Sequence, residues 1–213
     1  MCFSATASFG AAGILAVAGT ATLARARKPR EWPLAAMPMV FALQQGIEGL
    51  LWRTVPAGHQ AGRGLATIFA LIALVVWPLL TPVAIGLTET SSRRRLIFAL
   101  LGPGLLVAGY SIFDILNHPY MAWPAPRSLV YINDSPYPGL AMAAYLTAIC
   151  LPPLLASNPV LKLFGAVITM GLAITLGFFF VSLVSVWCFF AALASAILVC
   201  YFWRAQPKPV SFG

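Results

Sequence analysis

The 213-residue chain is 61% hydrophobic and 8% charged, with a mean hydropathy of +0.90. Soluble domains carry about a quarter charged residues, so a water-soluble globular fold is excluded and a polytopic membrane protein is implied. The net charge of +8 lies in short basic clusters between apolar runs, a pattern that orients helices in a bilayer and argues against a nucleic-acid partner.

A helix needs about 20 mostly apolar residues to cross about 30 Å of hydrocarbon. The first such run, residues 3–23, has no positive segment before it and a basic cluster after it, so it reads as a retained helix and not as a secretory signal. Further spans are expected at residues 33–52, 65–87, 96–116, 139–155, 163–182 and 185–203. The fifth is shortened by Pro152 and Pro153, and almost nothing separates the last two. The expected fold is an all-α integral membrane bundle of seven transmembrane helices in one domain, residues 1–213. Prolines inside or beside four spans (Pro33 and Pro38, Pro78 and Pro82, Pro103, Pro152 and Pro153) each remove a backbone donor, which membrane bundles tolerate where neighbours satisfy the freed carbonyl. Their positions in the first three spans do not recur in the last three, so no internal repeat of the transporter kind is visible.

The basic residues set an orientation. Arg25, Arg27, Lys28 and Arg30, then Arg93, Arg94 and Arg95, then Lys162, Arg204 and Lys208 fall on one side, and Arg53, Arg63 and Arg127 on the other. Such a bias in short loops puts the rich side in the cytoplasm, with the N-terminus out and the C-terminus cytoplasmic.

Five acidic residues are present. Glu31 and Glu89 lie beside loop arginines, where a solvated ion pair is expected. Glu48 lies inside the second span, in FALQQGIEGLLW, where a carboxylate costs about 2.5–3.5 kcal/mol and must face the bundle interior, find partners or take up a proton. Gln44 and Gln45 precede it by four and three residues, on or near the same helical face. This polar stripe is either a hydrogen-bonded link between helices or a ligand, ion or proton site. Asp114 ends the fourth span in YSIFDILNHPY, with Asn117 and His118 beside it; Pro119 ends the helix there. The segment that follows, residues 117–138, is rich in proline and aromatics, which makes it a stiff outer cap and not a flexible linker. Asn133, Asp134 and Ser135 match the N-glycosylation sequon, a three-residue pattern that arises often by chance.

Cys2 shares the outer side with Glu48, His118, His59 and Cys188. Thiolate, imidazole and carboxylate are ligands for zinc or copper, and Cys2, His118 and Glu48 are the candidate set, although no CxxC, HxxxH or HExxH spacing supports it. A disulfide with Cys188 and burial as a small apolar residue are the alternatives for Cys2. Cys150 and Cys200 fit simple packing, and Ser4, Thr6 and Ser8 fit hydrogen bonding within or between helices.

The string MCFSATASF, with Gln44, Gln45, Glu48, Gly49 and Trp52 in the second span, resembles a widespread family of uncharacterised bacterial integral membrane proteins that open with nearly the same nine residues. The resemblance implies a multi-pass protein of the bacterial inner (cytoplasmic) membrane and a polytopic helical fold, but no activity. Retinal proteins fit poorly because the last span has no lysine, and ceramidase-type hydrolases because only His59 and His118 are present.

Function is expected at an outward-facing polar pocket of Gln44, Gln45, Glu48, Asp114, Asn117 and His118. With the lipid bilayer around the protein, this pocket would bind or transport a small molecule, a metal ion or a proton-coupled substrate. Two other readings stand beside it: an accessory subunit packed against a membrane-protein partner or a second copy of the chain, and an enzyme using Cys2 or His118.

Overall fold

The computed structural model describes residues 4–55, 59–125, 128–133, 139–178 and 180–204. Helix α1 (Ala5–Arg25) starts where the Ser4 hydroxyl accepts the Ala7 N–H at 3.2 Å, which satisfies one of the first-turn donors. It packs antiparallel on α2 (Trp32–Thr54). Close approach depends on Gly19, where an added Cβ would lie 2.7 Å from the Met39 nitrogen, and Thr22 Oγ1 donates across the contact to the Ala35 carbonyl at 2.7 Å. Glu31, expected beside arginines in a solvated ion pair, uses its Oε2 to accept the backbone N–H groups of Arg27 (3.0 Å) and Lys28 (3.3 Å), because a carboxylate in a tight turn readily reaches orphan amides.

The third pass is α3 (His59–Leu71), a π turn (Ile72–Val76) and α4 (Trp77–Thr88). The fourth is α5 (Arg93–Ala99) and α6 (Leu101–Asn117), offset at Leu100 just before Gly102-Pro103-Gly104. Then come α7 (Gly139–Leu155), α8 (Pro159–Phe178), a turn at Phe180–Ser182 and α9 (Leu183–Arg204). Among the described residues, six passes are long and apolar enough to cross a membrane, and α7 is a shorter apolar helix. These are the features of a multi-pass membrane protein. Leucines 106, 116 and 140 are 74%, 78% and 84% exposed while Gln44, Gln45 and Glu48 are 0% exposed, an apolar exterior around a partly polar interior that suits a lipid environment.

The all-α expectation misses one element. Between α6 and α7, β1 (Met121–Ala125) pairs antiparallel with β2 (Ser128–Ile132), in register from Met121 opposite Ile132 to Ala125 opposite Ser128. Pro124 lacks a donor, but a two-stranded ribbon always has an edge where that is tolerated. This hairpin takes the place of the expected cap loop. It shares one end of the bundle, the hairpin end, with Ser4 and the Phe180–Ser182 turn; residues 26–31, 89–92 and 156–158 lie at the other, the arginine end.

Candidate binding site

The site begins with a backbone defect. The Trp77 N–H bonds to the Ile72 carbonyl, one residue beyond the α-helical partner, so in this register the Ala73 carbonyl would need an N–H from residue 78. That residue is proline. The Tyr145 hydroxyl of α7 donates to the Ala73 carbonyl instead, at 2.8 Å, so the defect in one helix fixes an aromatic side chain of another. π turns of this kind often mark functional positions. Tyr145 in turn meets Trp187 of α9 edge to face, centroids 5.6 Å apart, and Trp187 Nε1 donates to the Ile168 carbonyl at 3.0 Å.

The polar stripe on α2 divides between two neighbours. Gln44 Oε1 accepts Trp77 Nε1 at 2.7 Å, and Gln44 Nε2 donates to Cys188 Sγ at 3.3 Å; Trp77 is stacked on Phe41 at 3.9 Å. Gln44 thereby joins α4 to α9. Gln45 Nε2 donates to Glu48 Oε2 at 3.3 Å, and Ser185 of α9 donates to Glu48 Oε1 at 2.5 Å. Hydrogen bonds to a charged group contribute about 1.5–3 kcal/mol each, enough to offset the insertion cost of the carboxylate.

A cavity of about 260 Å³ lies between these helices and the hairpin. Ala70 of α3, Tyr145 of α7, Trp187 and Cys188 of α9, and Tyr131 and Asn133 of the hairpin segment are among its walls. Tyr145, Trp187 and Cys188 also line a second cavity of about 30 Å³, nearer Phe41 and Trp77, which is room for about one water. Those three side chains form the partition between the two spaces, and Gln44 holds the thiol of the partition from behind. No charged side chain lines the larger cavity among the described residues.

Contacts along its length hold the hairpin over this space. Tyr131 stacks on Phe69 of α3 at 4.3 Å, nearly parallel. Near the tip, the hydroxyls of Ser128 and Ser182 share a hydrogen bond of 2.5 Å. At the base, buried Asp114 accepts Asn133 Nδ2 at 2.6 Å and His118 Nδ1 at 3.3 Å. One carboxylate thus joins both ends of the hairpin segment.

The expected site residues therefore fall in different places. Gln44 backs the cavity wall; Gln45 and Glu48 lie in the helix junction beside it; Asp114 and His118 form the hairpin's base. Asn117 is exposed, and its Nδ2 donates to the Phe113 carbonyl of its own helix at 2.7 Å. Cys2, Asp134 and Ser135 lie outside the described residues. Glu48 and His118 belong to separate clusters, and among the described residues no three His, Cys, Asp or Glu side chains come together to hold a metal. Cys150, Cys188 and Cys200 are free thiols. Sequence reasoning did not single out Trp77, Tyr145, Trp187 or Ser185. The available signal was an aromatic with a polar tip inside an apolar span, since such tips find partners when buried.

Over residues 1–211 the chain matches the model described as "Family of unknown function (DUF6629)". The chain belongs to this family. No curated protein and no solved structure matches it. The matched span includes the α2 stripe, the hairpin and all the walls of the cavity.

Proposed function

We propose that this is a seven-pass bacterial inner-membrane protein, hairpin end outward, that binds a small neutral molecule in the hairpin-covered cavity. The observation that carries this reading is the cavity of about 260 Å³ whose described lining is aromatic and aliphatic, with a few polar tips and no charge. An apolar cavity of about 150 Å³ already binds benzene, so the volume suits a ring compound of one or two rings. Uncharged walls favour a neutral ligand, because an ion would lose its hydration with nothing to replace it. The amide of Asn133 and the tyrosine hydroxyls supply orientation, as the few polar groups of apolar pockets do. The basic loops at the arginine end support the outward placement of the hairpin, and the family resemblance supports the bacterial inner membrane.

The test uses Ala70, a buried cavity-wall residue. Wild type and Ala70→Phe are purified from the native membrane, and their solvent extracts are compared by mass spectrometry. A neutral compound enriched in wild type and depleted in a folded Ala70→Phe is the expected result. Identical extracts would count against the cavity as a binding site.

A further inference from the structure

At the hairpin end the cavity carries a hydrogen-bond acceptor of fixed direction. Asn133 ends the described hairpin segment, is half-buried and lines the cavity. Its amide has one branch that donates and one that accepts, and Asp114 decides which way each branch faces. Asp114 Oδ2 accepts Asn133 Nδ2 at 2.6 Å. A carboxylate offers only acceptor atoms, so turning the amide round would set two oxygens against each other at that distance. Asp114 is itself buried, and His118 Nδ1 lies against its other oxygen at 3.3 Å, so the carboxylate is held in place.

No residue of α6 lines the cavity among the described residues. Asp114 therefore stands behind Asn133, the Asn133 NH2 group is directed out of the cavity, and the oxygen on the other branch is directed in. That oxygen has no hydrogen-bond partner among the described residues. Other polar atoms of the wall are already engaged. The Tyr145 hydroxyl and Trp187 Nε1 donate to backbone carbonyls at 2.8 and 3.0 Å, and Cys188 Sγ accepts Gln44 Nε2 at 3.3 Å. Much of the remaining lining is aromatic or aliphatic, Phe69 and Tyr131 included, which suits a ring. An acceptor facing an apolar space calls for a donor on the ligand, because an acceptor left unmatched on binding costs free energy.

We propose, resting on the cavity reading, that Asn133 Oδ1 selects a neutral ring compound bearing an O–H or N–H donor, of which a phenol is the simplest case. Asp114 is a positioning residue that acts through Asn133: it holds the NH2 group away from the cavity and so keeps the oxygen turned toward the ligand. The same pair rejects anions, since a phenolate would bring its charge to a carbonyl oxygen with a carboxylate behind it. The ligand's donor also adds a tie to the hairpin segment. Asp114 already joins Asn133 to His118 across that segment, so the bound compound and the base of the hairpin meet at one amide.

The test is binding of phenol and of toluene, a ring of similar size with a methyl group in place of the hydroxyl, to the purified full chain in detergent micelles. Equilibrium dialysis gives each dissociation constant, and comparing one probe between wild type and variant cancels its partitioning into detergent. Asn133→Leu should weaken phenol about fivefold and leave toluene unchanged. Asp114→Asn keeps the shape but lets the amide turn, so it should weaken phenol about twofold or more, again without moving toluene; it keeps the test decisive if Asn133→Leu does not fold. Equal weakening of both probes would make Asn133 a structural tie only, and an unchanged phenol affinity would place the donor elsewhere. Either result overturns the proposal and leaves the cavity reading standing. If neither probe binds wild type saturably, or Ala70→Phe weakens neither, the cavity reading itself fails and the proposal with it.

Discussion

Glu89 closes the arginine end of the bundle, and its replacement by glutamine has a calculable effect. Its Oε1 accepts the backbone N–H groups of Thr90 (3.0 Å) and Ser91 (2.9 Å), and its Oε2 accepts that of Ser157 at 2.7 Å. One carboxylate thus ties the turn after α4 to the turn between α7 and α8. Burial of this residue pushes its pKa up, but the amides of Ser157 and Ser91 outweigh burial and bring it from 4.5 down to about 2. At about 1.36 kcal/mol per unit, that depression corresponds to at most roughly 3 kcal/mol of stability, which solvent screening at the end of the bundle reduces. A folded-state pKa below the unfolded one means the contribution is complete above about pH 5 and is lost as pH falls through about 2. At pH 3 roughly 1–1.5 kcal/mol should remain. Glu89→Gln keeps the shape and one acceptor but loses the charge, so at pH 7 it should be less stable by about 2–3 kcal/mol, and at pH 3 by about 1 kcal/mol. Thermal unfolding in detergent measures both gaps, at about 2–4 °C per kcal/mol for a chain of this size. A gap of the same size at pH 7 and pH 3 would refute the assignment of the stabilisation to the ionised carboxylate, and so would no gap at pH 7.

Two further outcomes test the orientation and the packing. Cysteines introduced singly at Arg93 and Trp123 should label from opposite faces of intact cells with a membrane-impermeant maleimide, Trp123 from outside; labelling of both from outside would reverse or scatter the proposed topology. Gly104→Ala places a methyl group on the carbonyl oxygen of Pro78, where backbone and not a flexible side chain stands in the way. It should lower stability by about 1–3 kcal/mol, read as a lower melting temperature, whereas an unchanged melting temperature would mean that α4 and α6 are not in close contact there.

The helical passes were legible because their causes are local. Apolar runs of span length, the basic loops between them and Pro119 after His118 act over a few residues, and Asp114 and His118, neighbours at the end of one span, are in contact at 3.3 Å. The same locality explains the errors. Glu31 and Glu89 stand beside arginines in the chain, yet the folded turns offer them backbone amides. Asn117 has a carbonyl of its own helix within reach and does not turn to the site. The hairpin was hidden because MAWPA and SLVYI carry no strong alternation, and their pairing is supported by contacts with Phe69 and Ser182. What only the tertiary structure decided is which buried polar groups meet. Gln44 finds Trp77 and Cys188, 33 and 144 residues away, and Ser185 finds Glu48 across 137 residues. Sequence spacing fixes which face of a helix a side chain occupies, but the partner on that face depends on how separate helices cross, and that is set by the packing of the whole bundle.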